Sequence, residues 1–287
     1  MRQSMAFCPG HITGFFQICK HDDVLKTGSR GAGFSITAGA ESRVVLEEGD
    51  GKIDVFVNKA HAKARVTEMT MLKLLEGEKY DAKVYTSLQL PMAQGFGMSA
   101  AGALATALAL TDLLGKGVDE AYQAAHEAEV TCGTGLGDIA ALKQGGFEFR
   151  TKEGLQPNGE VIGLEGDMKM LLCKVGPTID TSTVLKDPVK TAAIIEAGKK
   201  CVASFKKDMS IENFFELSHE FSEASGLMTD KVRAALDIMT KDDRAAMCMV
   251  GNSVFATGPD LPLMERKLAK FGTVYETKVD HRGPRLM

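Results

Sequence analysis

The chain has 287 residues, 44% of them hydrophobic, with 34 Lys and Arg against 38 Asp and Glu for a formal charge of −4. That length buries a sizeable core and favours division into two lobes, and the mild acidity without any basic run argues against nucleic acid as a partner. No apolar run is long enough to span a bilayer, and Met1 to Gly10 lacks the apolar stretch of a secretory leader, so a cytoplasmic protein with no membrane partner is expected. Alternating apolar residues predict strands at Gly33 to Thr37, Arg43 to Leu46 and Lys52 to Asn58, the last with Ile53, Val55 and Val57 on one face. The turn Glu48-Gly49-Asp50-Gly51 joins the last two as a hairpin. Helical spacing of Val66, Met69, Leu72 and Leu75 predicts a helix from Ala62 to Glu76, and alternation resumes from Ala82 to Leu90. The glycine-rich stretch Gln94 to Gly102 then runs into Ala100 to Leu114, which is apolar all round and is expected at the centre of the fold. A second helix, Asp119 to Val130, is stopped by Gly133, and Gly145-Gly146 leads into a short strand, Phe147 to Arg150.

Gly154, Pro157, Gly159, Gly163 and Gly166 mark a lobe boundary, giving expected domains at 1–165 and 166–287. Beyond it come a buried strand, Met168 to Val175, and two or three amphipathic helices within Pro188 to Lys241. Asp187 caps the first of these, with Pro188 at its first position. A strand at Ala245 to Gly251 pairs with Ser253 to Thr257, and a helix (Leu261 to Phe271) and a last strand (Thr273 to Val279) complete an α+β pattern. Cys8, Cys19, Cys132, Cys173, Cys201 and Cys248 are scattered, mostly among apolar neighbours and without a C-x-x-C pair. That usage suits a reducing compartment and makes neither a disulfide frame nor a zinc site.

The segment richest in chemistry is Pro91-Met92-Ala93-Gln94-Gly95-Phe96-Gly97-Met98-Ser99-Ala100-Ala101-Gly102, between a strand and the Ala-rich helix. Glycines let the backbone approach a ligand, and the unpaired amides and dipole of a helix start make a seat for phosphate. Ser99 stands at the helix mouth, either as a ligand to phosphate or Mg²⁺ or as a simple N-cap. No Gly-Lys-Ser/Thr follows, so this is not a P-loop, and the glycine spacing is not that of a dinucleotide fingerprint. Asp138 follows Gly133, Gly135 and Gly137 and opens a further helical stretch. It is either a carboxylate that orients or deprotonates a hydroxyl or another N-cap. Glu127 and Glu129 lie on the preceding helix, as metal ligands or as helix surface. Arg30, flanked by glycines, has the planar fork that grips a carboxylate, or is a solvated loop residue. His11 is a substrate contact or a structural histidine, and Lys20 and Arg282 are weaker candidates for neutralising phosphate.

Residues 91–102 resemble the second motif of the GHMP kinases, P-x-x-x-G-L-G-S-S-A-A, with Phe96 in place of Leu and Met98 in place of the first Ser. Pro9-Gly10-His11-Ile12-Thr13-Gly14-Phe15-Phe16 resembles the first motif and Val250-Gly251-Asn252-Ser253-Val254-Phe255-Ala256 the third, in the family's order and across nearly the whole chain. Within that superfamily, Pro9 to Phe16, Gly28 to Gly33, Gly133 to Asp138 and Arg282 to Leu286 resemble the archaeal pantoate kinase family. The resemblance implies a ribosomal-S5-like N-terminal lobe and a ferredoxin-like C-terminal lobe. It implies ATP and Mg²⁺, and phosphorylation of the 4-hydroxyl of (R)-pantoate on an archaeal route to coenzyme A. It places Gly95, Gly97, Met98, Ser99, Ala100 and Ala101 around the ATP phosphates, and Ser99 with Glu127 on Mg²⁺, Glu129 being the competitor for that second position. It makes Asp138 the catalytic carboxylate, turns His11 and Arg30 toward pantoate, and suggests a homodimer. The alternatives are a GHMP kinase for another small alcohol, such as shikimate, homoserine or a mevalonate-like compound, and a non-catalytic metabolite sensor on the same fold.

Overall fold

Two sheets organise the chain, all 287 residues of which are described by a computed structural model. The first sheet contains β1 (Arg2–Cys19), β2 (Gly28–Glu48), β3 (Ile53–Val57), β4 (Ala60–His61), β5 (Tyr80–Leu88), β6 (Phe147–Lys152) and β7 (Glu160–Leu164). With it go α1 (Arg65–Leu74), α2 (Met98–Leu114), α3 (Val118–Cys132) and α4 (Asp138–Gln144). The second sheet has the order β11-β8-β10-β9, from β8 (Lys169–Lys174), β9 (Arg244–Met247), β10 (Ser253–Thr257) and β11 (Thr273–Lys278). Its helices are α5 (Thr181–Lys186), α6 (Pro188–Phe205), α7 (Ile211–Ala224), α8 (Asp230–Asp237) and α9 (Leu261–Leu268). A final strand, β12 (Arg285–Leu286), returns to pair with β1, so the first sheet runs β12-β1-β2-β5-β3-β4, with β6 and β7 joined to β2. This is the α+β architecture with two sheets that the sequence led us to expect. The division at residue 165 falls in the link between β7 and β8, although one hydrophobic core of 70 buried residues runs through both halves.

Two local expectations change. The strands expected at Gly33 to Thr37 and Arg43 to Leu46 are parts of one long β2, which stays extended through a bulge where its pairing with β1 shifts from Pro9–Gly39 to Gly10–Ile36. The expected hairpin to β3 does not form. β5 pairs antiparallel with β2 and parallel with β3, at Ile53 opposite Ala82, so α1 is the crossover that joins the parallel pair. The turn after β2 is tied down by Asp81, whose Oδ1 accepts from the amides of Gly51 (3.0 Å) and Lys52 (2.8 Å). The cap on α6 forms as read: Asp187 Oδ1 accepts from Val189 N at 2.9 Å and Lys190 N at 3.2 Å, with Pro188 at the first position.

The Ala-rich α2 is buried on all sides from Met98 to Thr111, apart from Ser99 at its mouth, which is only partly buried. Its small side chains let β1, β2, α1 and α3 close around it. The second half docks on β1: a Cβ on Gly198 of α6 would stand 2.0 Å from Phe16 O, and one on Gly14 would stand 2.1 Å from Ser218 Oγ of α7. Phe214 of α7 is the hub of the junction. Its ring centroid lies 4.9 Å from Phe34 and 5.3 Å from Phe147 in the first sheet and 5.9 Å from Phe255 in the second. No helix is long and apolar enough to cross a membrane. Phe214→Ala is expected to destabilise the protein by about 3–5 kcal/mol in urea unfolding, because it empties the centre of this cluster, while Leu72→Ala on the surface is expected to change stability by less than about 0.5 kcal/mol.

Candidate active site

The path from β5 into α2 is a tight bend, with φ of 55° at Ala93, 76° at Gly95 and 67° at Gly97, the last being the helix N-cap. Glycine is required at 97 for two reasons. Its φ is left-handed, and a Cβ there would stand 2.7 Å from His11 N. No side chain caps α2, and its first intrahelical bond runs from Ala101 N–H to Gly97 C=O at 2.9 Å. The amides of Met98, Ser99 and Ala100 therefore precede the first intrahelical hydrogen bond, and all three residues line a cavity. Ser99 is consequently not the cap. Ala101, expected at the phosphates, lies in the core at 0% exposure with its amide already committed to Gly97. Two more segments lock the bend. His11 N donates to Phe96 O (3.1 Å), and a Cβ on Gly251 would stand 2.1 Å from the carbonyl carbon of Gln94, whose oxygen accepts from Ser253 Oγ.

The far wall of the cavity comes from α3 and α4. Gly133 ends α3 at φ 67° and Asp138 opens α4, so the intervening turn brings Glu129 and Asp138 to one side of the same cavity as Ser99. Asp138 Oδ1 lies 3.0 Å from His11 Nδ1, and its side chain keeps 26% exposure. Behind it, His11 Nε2 lies 3.1 Å from Glu148 Oε1, which also accepts from Arg150 Nη1 at 2.6 Å. Burial alone would push the Asp138 carboxyl up; the hydrogen bond and charge of His11, with Arg150 behind, hold it below the usual carboxylate range. Burial likewise opposes charge on His11, but its bonds to Asp138 and Glu148 prevail and raise its pKa. Glu129 is pushed well up, by burial first and by Asp138 second.

The candidates read from sequence separate accordingly. Gly95, Gly97, Met98, Ser99, Ala100 and Asp138 line one cavity. Glu127 does not: it pairs with Lys73 and Gln123, and it is Glu129, two residues on, that lines the cavity. His11 has no exposed side-chain surface, so it meets the cavity only through the lining residues it contacts, chiefly Asp138. Arg30 is held outside by Glu153, Nε to Oε2 at 2.6 Å, with His21 Nε2 on the other oxygen at 2.9 Å. Lys20 and Arg282 are exposed and outside the lining. Several residues at or behind the cavity had no part in the sequence reading, Thr181 and Leu185 of α5 among them. Glu148 and Arg150 looked like ordinary strand residues, and Ser29 stood beside the more conspicuous Arg30. Their only signal was two opposite charges alternating with Phe147 and Phe149 in a short strand.

No Lys or Arg lines the cavity, while the carboxylates of Glu129 and Asp138 and the hydroxyls of Thr13, Ser29, Ser99, Thr134 and Thr181 do, a set of hard oxygen donors that fits a divalent cation. A helix start with free amides, set against such carboxylates on a two-sheet frame, fits a kinase of the GHMP class, and residues 62–146 match the family described as GHMP kinases N terminal domain. The pantoate kinase of Methanocaldococcus jannaschii is 35% identical over 255 residues, 87% of this chain and 90% of that protein. The pantoate kinase of Methanospirillum hungatei is 32% identical over 289 residues, covering 98% and 96%. A solved structure described as a phosphotransferase related to the CoA biosynthesis pathway superposes with a TM-score of 0.87 at 29% identity, over 100% of this chain and 99% of its own. The chain belongs to the pantoate kinase family of GHMP kinases.

The Arg30–Glu153–His21 cluster has a measurable signature. Burial works against the Glu153 charge, but the hydrogen bonds from Arg30 and His21 hold its carboxyl down at about 2. A depressed carboxyl contributes stability above the ordinary glutamate range and loses it as pH falls toward about 2. Glu153→Gln is therefore expected to lower stability at pH 7 and to flatten the acid limb, so that parent and variant converge as pH falls toward 2 in urea unfolding.

Proposed function

We propose that this chain transfers the γ-phosphoryl group of ATP to the 4-hydroxyl of (R)-pantoate, giving 4-phosphopantoate for coenzyme A synthesis. The observation that carries the reading is the convergence of the free amides of α2, Glu129 and the unpaired oxygen of Asp138 on one cavity. Pantoate itself is supported by relatives named pantoate kinase that align over nearly the whole chain.

In this reading the amides of Met98, Ser99 and Ala100, with the helix dipole, take the phosphates and offset their charge. Ser99 and Glu129, rather than Glu127, would hold Mg²⁺ through hydroxyl and carboxylate oxygens, with phosphate and water completing the set. The bound ion would supply charge neutralisation at the phosphates. Asp138 keeps Oδ1 on His11 and presents Oδ2 to the acceptor hydroxyl as orienting group and base. Arg30 is engaged by Glu153 outside the lining, and Arg150, fully buried on Glu148, supports Asp138 from behind without touching substrate. It is the one buried lysine or arginine, and its Nε has no partner. That Nε and Ser29 Oγ both face the bare side of Gly137, which lines the cavity. Positioning and charge carry the catalysis, as phosphoryl transfer requires.

With ATP and Mg²⁺, ADP release is expected with pantoate and not with pantothenate, mevalonate, shikimate or homoserine; equal turnover of a second alcohol would displace the substrate assignment. Asp138→Asn is expected to lower kcat by about 10²- to 10⁴-fold with Mg·ATP binding retained. In titration calorimetry Glu129→Gln should weaken Mg·ATP binding while Glu127→Gln leaves it unchanged, and the reverse order would return the metal to Glu127.

A further inference from the structure

Glu148 does not line the cavity, yet it is a fully buried carboxylate whose Oε1 meets two partners while its Oε2 has none. Keeping such a group inside a protein is costly, and its surroundings show what it holds. Arg150 only donates, so Glu148 Oε1 is an acceptor at 2.6 Å from Nη1. His11 Nε2, 3.1 Å from that same oxygen, makes an attractive contact only if it carries hydrogen. Nδ1 on the other side of the ring, 3.0 Å from Asp138 Oδ1, meets the same condition. An imidazole with hydrogen on both nitrogens is a cation. From the cavity inward the charges thus alternate: Asp138 negative, His11 positive, Glu148 negative, Arg150 positive. The groups facing the ring are Asp138 from α4, Glu148 from β6 and Thr13 Oγ1 of its own strand, with Arg150 one step behind.

We propose that Glu148 is a positioning residue for phosphoryl transfer: acting through His11, it keeps Asp138 a carboxylate with Oδ2 aimed at the acceptor hydroxyl. The inference rests on the assignment of Asp138 to that hydroxyl. In the transfer, the acceptor oxygen bonds to Pγ as the bond from Pγ to the ADP oxygen breaks, and that electron pair leaves with ADP. The hydroxyl proton passes to Asp138 Oδ2, and His11 keeps both of its hydrogens throughout. Without Glu148 two cations, His11 and Arg150, would share a buried site with only Asp138 to offset them. His11 would then give up a ring hydrogen, and Asp138 would lose the charged donor that orients it.

The test is histidine ¹⁵N NMR of the full chain at neutral pH, combined with steady-state kinetics. The parent is expected to show His11 with both ring nitrogens protonated, and Glu148→Gln to show a neutral ring. The same substitution is expected to lower kcat by about 10²-fold while both KM values stay within about threefold. In a His11→Asn background, Glu148→Gln is expected to change kcat by less than about threefold, since the group it acts through is gone. A neutral His11 in the parent, an unchanged kcat in Glu148→Gln, or an equal loss in both backgrounds overturns the proposal. The parent spectrum decides even where the variant does not fold. A fully active Asp138→Asn would sink the underlying assignment instead, and would leave the His11 spectrum of the parent as it is.

Discussion

The backbone of His11 and the bend at Gly97 touch with no room for a side chain between them, and the site is built outward from that contact. On one side it sets where α2 begins and so where the free amides point. On the other it fixes His11 on β1, whose ring reaches Asp138 and Glu148. A single backbone approach therefore registers the free amides of α2 against the Asp138 carboxylate. Gly251 and Ser253 brace the same bend from the second half of the chain. The two halves are in turn held to β1 by α6, α7 and the phenylalanines around Phe214.

The electrostatics follow from what the cavity lacks. With no lysine or arginine in its lining, the negative charge of Asp138 is met from behind by a chain of buried partners, and Glu129 has no cationic partner. An unpaired buried carboxylate is costly to fold and useful only if something arrives to meet it. The orphaned Nε of Arg150 belongs to the same pattern of groups left unmatched within the protein. Two of these unmatched atoms, Glu148 Oε2 and Arg150 Nε, belong to the ion pair directly behind His11 and Asp138.

Much of the frame was legible because periodicity and capping speak locally. The apolar α2, the Gly133 stop and the Asp187-Pro188 start all appear where the spacing put them. The pairing of strands was not legible. Nothing in Glu48 to Gly51 shows that β5 will lie between β2 and β3, since that depends on α1 folding back across the sheet. In the site, glycine spacing pointed to the start of α2 and to Asp138, which line one cavity, but the choice between Glu127 and Glu129 depended on which face of α3 turns inward. Arg30 was conspicuous among its glycines and proved to be engaged by Glu153, a residue far away in sequence. His11, Glu148 and Arg150 form their chain only once β1 and β6 have both paired with β2, so no local pattern announces it.

The most direct measurement is a crystal structure with a non-hydrolysable ATP analogue, Mg²⁺ and pantoate bound together. The γ-phosphate is expected against the amides of Met98 to Ala100, the metal between Ser99 and Glu129, and the pantoate 4-hydroxyl about 3 Å from Asp138 Oδ2. A triphosphate seated away from the start of α2, or a pantoate hydroxyl out of reach of Asp138, would contradict it.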